Sequence, residues 1–158
     1  MSIERVTAYF QQYGREQDIL QFPVSSATVE LAAQALNCAP ERIAKTLSFM
    51  GSDGPLLIVL AGDKKLDNKK FKANFHTKAK MLKGDEVEQL IGHAIGGVCP
   101  FGINEGVKVY LDESLQRFDY IYPACGSANS AIKLTPAELW EYSHAQSFID
   151  IAQDPVQP

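Results

Sequence analysis

The residues of this 158-residue chain best equipped for chemistry are one lysine in apolar surroundings, a glycine-rich loop and a run of further lysines. Lys45 is enclosed by Ile43, Ala44, Leu47 and Phe49. Its stem should lie against the core while its ammonium reaches a cleft, where a lowered dielectric strengthens its field on an anion or a carbonyl. The same pattern fits a lysine that merely snorkels to solvent. The segment from His93 to Gly102 (HAIGGVCPFG) holds too much glycine and proline for a helix or a central strand, and predicts an irregular loop with accessible backbone. Cys99 within it would serve as a nucleophile if His93 lowered its pKa, although free cysteines are more often small packing residues. His76, His93 and His144 are scattered and form no HExxH pair, so no transition-metal site is indicated. There is no GxSxG or Walker A segment, and no helix of dinucleotide-binding type follows Gly92 to Gly97.

Charge adds a second feature. The chain carries a net charge of -4, yet the window from Lys64 to Lys83 holds eight lysines against one acid, Asp67. Concentrating cations in an otherwise acidic chain can present a basic face to a polyanion, or can simply make a solvated lysine-rich helix. Hydrophobic residues at 46% and charged residues at 22% exclude a disordered, collagenous or coiled-coil chain. No apolar run approaches the roughly 20 residues of a membrane helix, and the first residues lack a signal peptide's apolar stretch, so a soluble cytoplasmic protein is expected. Cys38, Cys99 and Cys125 are an odd set without CxxC spacing and are expected as free thiols.

Periodicity and capping signals supply the elements that must position these groups. Helices are expected over Ile3 to Tyr13 with Gly14 as its stop, after Ser25-Ser26 through Leu36, in a short turn at Pro40-Glu41-Arg42, after Asp67, from Asp85 with Glu88 as its reciprocal cap, and after Thr135. Short strands are expected at Asp18 to Pro23, Leu47 to Phe49, Leu56 to Ala61, Val107 to Leu111, Tyr120 to Tyr122 and, last in the chain, Ala131 to Leu134. The turn cluster Gly51 to Pro55 makes the second and third of these a hairpin. Lys45 then falls near a helix-to-strand junction. Residues 1–150 should form one domain and residues 151–158 a tail.

Ala44-Lys45-Thr46-Leu47, the Gly96 to Gly102 loop with its Gly-x-x-x-Pro motif ending at Pro100, the strand Val107 to Asp112, and Gly126 with the run to Ile132-Lys133-Leu134 resemble the YbaK/prolyl-tRNA synthetase-associated editing-domain family. The resemblance spans about residues 3 to 145. It implies an α+β fold, a mixed, mostly antiparallel sheet curled into a partly open barrel with flanking helices. It also implies a trans-editing hydrolase that deacylates mischarged aminoacyl-tRNA, chiefly tRNA(Pro) carrying alanine, cysteine, 2-aminobutyrate or another small amino acid, with no cofactor. Its partners would be the tRNA acceptor end and a prolyl-tRNA synthetase. Cys99 stands where the Cys-tRNA(Pro) deacylase branch has serine, and Cys125 to Asn129 lacks that branch's basic loop, which leaves the scissile amino acid open.

On this reading Lys45 anchors the terminal adenosine or polarises the ester, and backbone N–H groups at Gly96 and Gly97 meet the carbonyl or ribose oxygens. Pro100 fixes the loop, Cys99 lines the pocket, and Thr46, Gly126, Ser127 and Asn129 are candidate substrate-binding groups. Lys64, Lys65, Lys69, Lys70 and Lys72 would hold tRNA phosphates. A non-catalytic tRNA- or synthetase-binding module and a thiol enzyme centred on Cys99 are the alternatives.

Overall fold

The computed structural model describes residues 2–155. In chain order the elements are α1 (Ser2–Gln11), β1 (Leu20–Gln21), α2 (Val29–Leu36), β2 (Ile43–Gly51), β3 (Gly54–Ala61), β4 (Lys65–Leu66), α3 (Asn68–Phe75), α4 (Gly84–Ile91), β5 (Lys108–Asp112), β6 (Tyr122–Pro123), β7 (Ser130–Ala131), α5 (Pro136–Ser143), β8 (Ser147–Ile149) and β9 (Ala152–Gln153). Short 3-10 turns lie at Glu16–Asp18, Pro40–Arg42 and Glu113–Arg117.

The hairpin β2–β3 is the spine of a five-stranded sheet ordered β6-β2-β3-β5-β8. Gly51 pairs with Gly54 at its turn, and Lys45 lies opposite Leu60 near its open end. The continuous apolar run Leu56 to Ala61 is buried on both faces, which is what a central strand needs. Leu57 and Val59 pack with Val6 and Phe10 of α1, Val87 and Ile91 of α4, and Leu139 of α5. Ile58 and Leu60 face the other way, onto Phe49, Phe71 and Ile151. Each such side chain contributes on the order of 2 kcal/mol by leaving water.

The fold is the expected α+β arrangement around a curled, partly open mixed sheet. Its antiparallel content comes from the long hairpin and from two small pairs, β1–β7 and β4–β9. The hairpin's outer neighbours run parallel, with β6 beside β2, β5 beside β3 and β8 beside β5. Two of these strands follow helical connections, α3 and α4 before β5 and α5 before β8, which supply the crossovers that parallel pairing requires.

Several boundaries differ from the sequence pattern for local reasons. Thr28, and not Ser25-Ser26, caps α2 by accepting from the Leu31 N–H at 3.2 Å. Ser25 instead caps the Ala27 N–H. α4 begins at Gly84, and its reciprocal partner is Glu86, whose carboxylate accepts from the Lys83 N–H at 3.2 Å, two residues earlier than the Asp85/Glu88 pattern suggested. Asp67 caps α3 and the Thr135/Glu138 capping box starts α5, both as expected. Ala131 to Leu134 is not the last strand: β7 holds only Ser130–Ala131, Leu134 bridges Ile121, and β8 and β9 follow α5. Residues 151–154, expected as tail, are tied down, with Ile151 fully buried and Ala152–Gln153 paired to β4. Residues 156–158 of that tail lie outside the described residues.

Candidate active site

A cavity of about 370 Å³ opens between the start of α2, the first half of β2, the glycine loop and the strand Ser130–Ala131. Ala44, Thr46 and Ser48 alternate along β2 with Ile43, Lys45 and Leu47, and all six reach its wall. Ala32, Val98, Ala124 and Ala131 make much of the rest apolar. Met81 and Ile95, both exposed, line it as well.

Lys45 is half-buried, and its ammonium donates to the Lys64 carbonyl. Burial pulls its pKa below the ordinary lysine range, and the carboxylates of Asp63 and Glu30 oppose that pull. Next to it the Thr46 hydroxyl oxygen is buried without a hydrogen-bond partner among the described residues. An orphaned buried hydroxyl costs about 1–3 kcal/mol, a cost that a polar ligand atom in the cavity would relieve.

Of the two glycines expected to offer backbone donors, Gly96 lines the cavity with φ +95°. The Gly97 N–H donates to the Ala94 carbonyl at 3.1 Å, so that donor is already engaged. Gly97 instead lets two loops touch: a Cβ there would stand 2.6 Å from Gly126 and 2.7 Å from the Ser127 nitrogen. Gly126, at φ +94°, packs in turn on the Ser2 carbonyl. The Ser127 hydroxyl donates to Asn129 Oδ1 at 2.9 Å and lies 2.8 Å from the Ser130 hydroxyl, while the Asn129 amide donates to the Phe22 carbonyl at 2.9 Å. These residues build the wall from behind.

Cys99 faces the core, away from the cavity that its neighbour Val98 lines. Its sulfur lies 3.5 Å from His93 Nε2, which is itself 2.7 Å from the Phe101 carbonyl. Burial pushes the thiol up to about 12 and lowers the His93 pKa. A neutral imidazole beside a neutral thiol is a packing arrangement, unlike the electropositive setting of a reactive thiolate. Pro100, also buried, continues this packed turn.

The five lysines expected on tRNA divide into two groups. Lys64 pairs with Asp154, and Lys70 lies 2.8 Å from both Asp150 and the Ala152 carbonyl. Lys65, Lys69 and Lys72 are exposed. Sequence reasoning passed over Ser26, Ser48, Tyr122 and Ser130 as cavity residues. The alternation of small residues at 44, 46 and 48 within an apolar strand was the available signal for Ser48. It also passed over Lys80 and Lys83 as site cations, although they flank cavity-lining Met81 and Leu82. Among the described residues no group of three or more His, Cys, Asp or Glu side chains is placed to hold a metal, and no helix is long and apolar enough to cross a membrane.

Residues 24–142 match the family model of the aminoacyl-tRNA editing domain. An uncharacterized Bacillus subtilis protein, YwhH, is 52% identical over 155 residues, which cover 98% of this chain and 99% of that protein. A proline–tRNA ligase of Kosmotoga olearia is 34% identical over 86 residues, 54% of this chain but 15% of the ligase. A solved structure described as a candidate trans-editing enzyme for prolyl tRNA synthetase superposes with a TM-score of 0.87 at 31% identity, covering 96% of this chain and 97% of that one.

Proposed function

The chain belongs to the aminoacyl-tRNA editing-domain family, and from that premise we propose that it is a trans-editing deacylase that frees a small amino acid, such as alanine, cysteine or 2-aminobutyrate, from mischarged tRNA(Pro). The observation that carries this reading is the convergence of Lys45, Thr46 and Gly96 on one largely apolar cavity. Likeness to a candidate trans-editing enzyme over nearly the whole chain supports the carrier, as does likeness to segments of proline–tRNA ligases. Such a deacylase works in the cytoplasm, where charged tRNA is made and used.

The reaction is hydrolysis of the ester that joins the amino acid to the terminal ribose. Water oxygen bonds to the carbonyl carbon, negative charge gathers on the carbonyl oxygen, and the ester C–O bond breaks with a proton passing to the ribose oxygen. The Lys45 ammonium supplies a fixed positive charge at the cavity wall for the terminal nucleotide or the ester oxygen. The Thr46 hydroxyl offers a hydrogen bond that no group among the described residues uses, and the bend at Gly96 brings backbone close to the ligand. A neighbouring ribose hydroxyl of the substrate takes part in activating the water, so no side chain is required as the base.

Selectivity follows from the walls. Ala32, Ala44, Ala124 and Ala131 fill little of the cavity, while Tyr122 and Leu47 bound it. One methylene more or less is worth about 1–3 kcal/mol in such a site, too little for a synthetase alone and useful to a second, hydrolytic sieve. Incubation with Ala-, Cys-, Ser-, 2-aminobutyryl- and Pro-tRNA(Pro) tests the proposal. Release from at least one small-residue substrate with Pro-tRNA(Pro) spared is expected. Release from none above the buffer rate overturns it in favour of a binding module.

A further inference from the structure

The carbonyl that receives the Lys45 ammonium belongs to a short turn, Ala61 to Lys64, that is held from several sides. Gly62 lies so close to the Pro40 carbonyl that a Cβ would stand 2.1 Å from it. Asp63 takes a two-pronged contact from Arg117 at 2.6 and 3.0 Å. The Lys64 ammonium pairs with Asp154, and the next residues, Lys65–Leu66, pair with Ala152–Gln153. The Asp67 N–H continues this contact onto the Ile151 carbonyl at 2.9 Å. One buried carboxylate anchors the far side: Asp112 accepts from the Ile151 and Ala152 N–H groups at 2.9 and 3.1 Å, and its other oxygen caps Ser114 at 2.9 Å. Ser114 in turn accepts from the Ala61 N–H at 3.3 Å.

We infer that residues 151–154, clamped by Asp112, are a positioning element for the Lys45 ammonium, acting through the Lys64 carbonyl. The family match ends at residue 142, so this support comes from outside the matched segment. The physical reason is distance tolerance. A cation that must face one ligand atom gains from a rigid acceptor at its back, because about 1 Å of misplacement can cost on the order of 100-fold in rate. A lysine has the flexible four-carbon stem that most needs such a restraint. The carbonyl of a free surface turn would follow thermal motion, whereas this one is tied to β5 through Asp112 and to α3 through Asp67. Asp112 and Asp154 are thus positioning residues that touch no substrate.

The inference rests on the editing reading for its kinetic consequence and is tested in a way that separates the two. In Asp112→Ala the two N–H groups of Ile151 and Ala152 lose their acceptor, and in Asp154→Lys the charge facing Lys64 is reversed. The Lys45 Nζ and Cε resonances, recorded without tRNA, should shift in both variants, more in the first. Single-turnover deacylation should fall roughly 10- to 100-fold in Asp112→Ala, with tRNA affinity within about twofold of wild type and with partial recovery in Asp112→Asn, whose amide oxygen still accepts. If Asp112→Ala does not fold, Asp154→Lys carries the same measurement, since its replaced side chain is exposed. An unchanged Lys45 resonance in the folded variants overturns the inference. A wild-type protein inactive on every tRNA overturns the editing reading alone, because the resonance is read without substrate.

Discussion

Gly97 rests its backbone on Gly126 so closely that a methyl group on the first would lie 2.6 Å from the carbonyl of the second. The contact joins the loop carrying Gly96 to the loop leading into Ser130–Ala131, so the two halves of the cavity wall share one support. Gly97→Ala should push them apart. The cost expected for such overpacking is about 1–3 kcal/mol in urea unfolding, with deacylation reduced beyond what the loss of folded protein explains. Gly106, at φ +89° with open space around its Cβ position, is the control: an alanine there should cost only the backbone strain, about 1 kcal/mol, and leave turnover unchanged.

Lys45 should separate function from stability. Lys45→Met keeps the apolar stem and removes the cation, and turnover should fall on the order of 100-fold or more if the ammonium faces developing charge. Burial lowers the Lys45 pKa in the folded protein relative to the unfolded chain. The unfolded state therefore binds the proton more readily, and the lysine costs stability at neutral pH, a cost relieved as pH rises through its lowered pKa. Lys45→Met should accordingly melt at or above the wild-type temperature. In wild type the rate advantage over buffer should decline as pH rises, starting below the ordinary lysine range, and this decline should vanish in the variant.

These residues show what a one-dimensional pattern can carry. The hairpin, two of the helix caps and the buried central strand were legible because each is written in neighbouring residues: the Gly51 to Pro55 turn, Asp67 and Thr135, and Leu56 to Ala61. Lys45, Thr46 and Gly96 were legible through chemistry-bearing motifs, and the structure brings all three to one cavity. What could not be read was long-range. Whether Cys99 or Val98 faces the cavity is decided by which way an irregular loop turns, and no periodicity governs such a loop. The strands β8 and β9 have three and two residues and exist only through partners far away in sequence. The clamp from Asp112 to Ile151 spans 39 positions and leaves no local trace.

The thiols should behave as core groups. With burial pushing Cys99 up to about 12 and Cys125 well above its usual value, neither holds an appreciable thiolate near neutral pH. In the native protein an aromatic disulfide reagent should react with Cys38, the partly exposed one, and reach the other two only in denaturant. Cys99→Ala should retain turnover within a few-fold while losing some stability to the small cavity it leaves. Loss of turnover in a variant that remains folded would reinstate the thiol enzyme.

The lysine window yields the sharpest electrostatic test, because its cations are unequal. Lys64 and Lys70 already face Asp154 and Asp150, so their charges are partly spent within the protein. Lys65, Lys69 and Lys72 are exposed and free to meet phosphates, each neutralised phosphate contributing slightly less than one to the slope of log affinity against log salt. Reversing these three to glutamate should flatten the slope by about 2 to 3 and weaken tRNA binding, with the rate on bound substrate unchanged. Lys80→Glu with Lys83→Glu should act similarly and also raise KM, because these two flank Met81 and Leu82 at the cavity. A slope unaltered by the first set and altered by the second would move the tRNA face from α3 to the segment before α4. A slope unaltered by both would remove the lysine window from tRNA binding altogether.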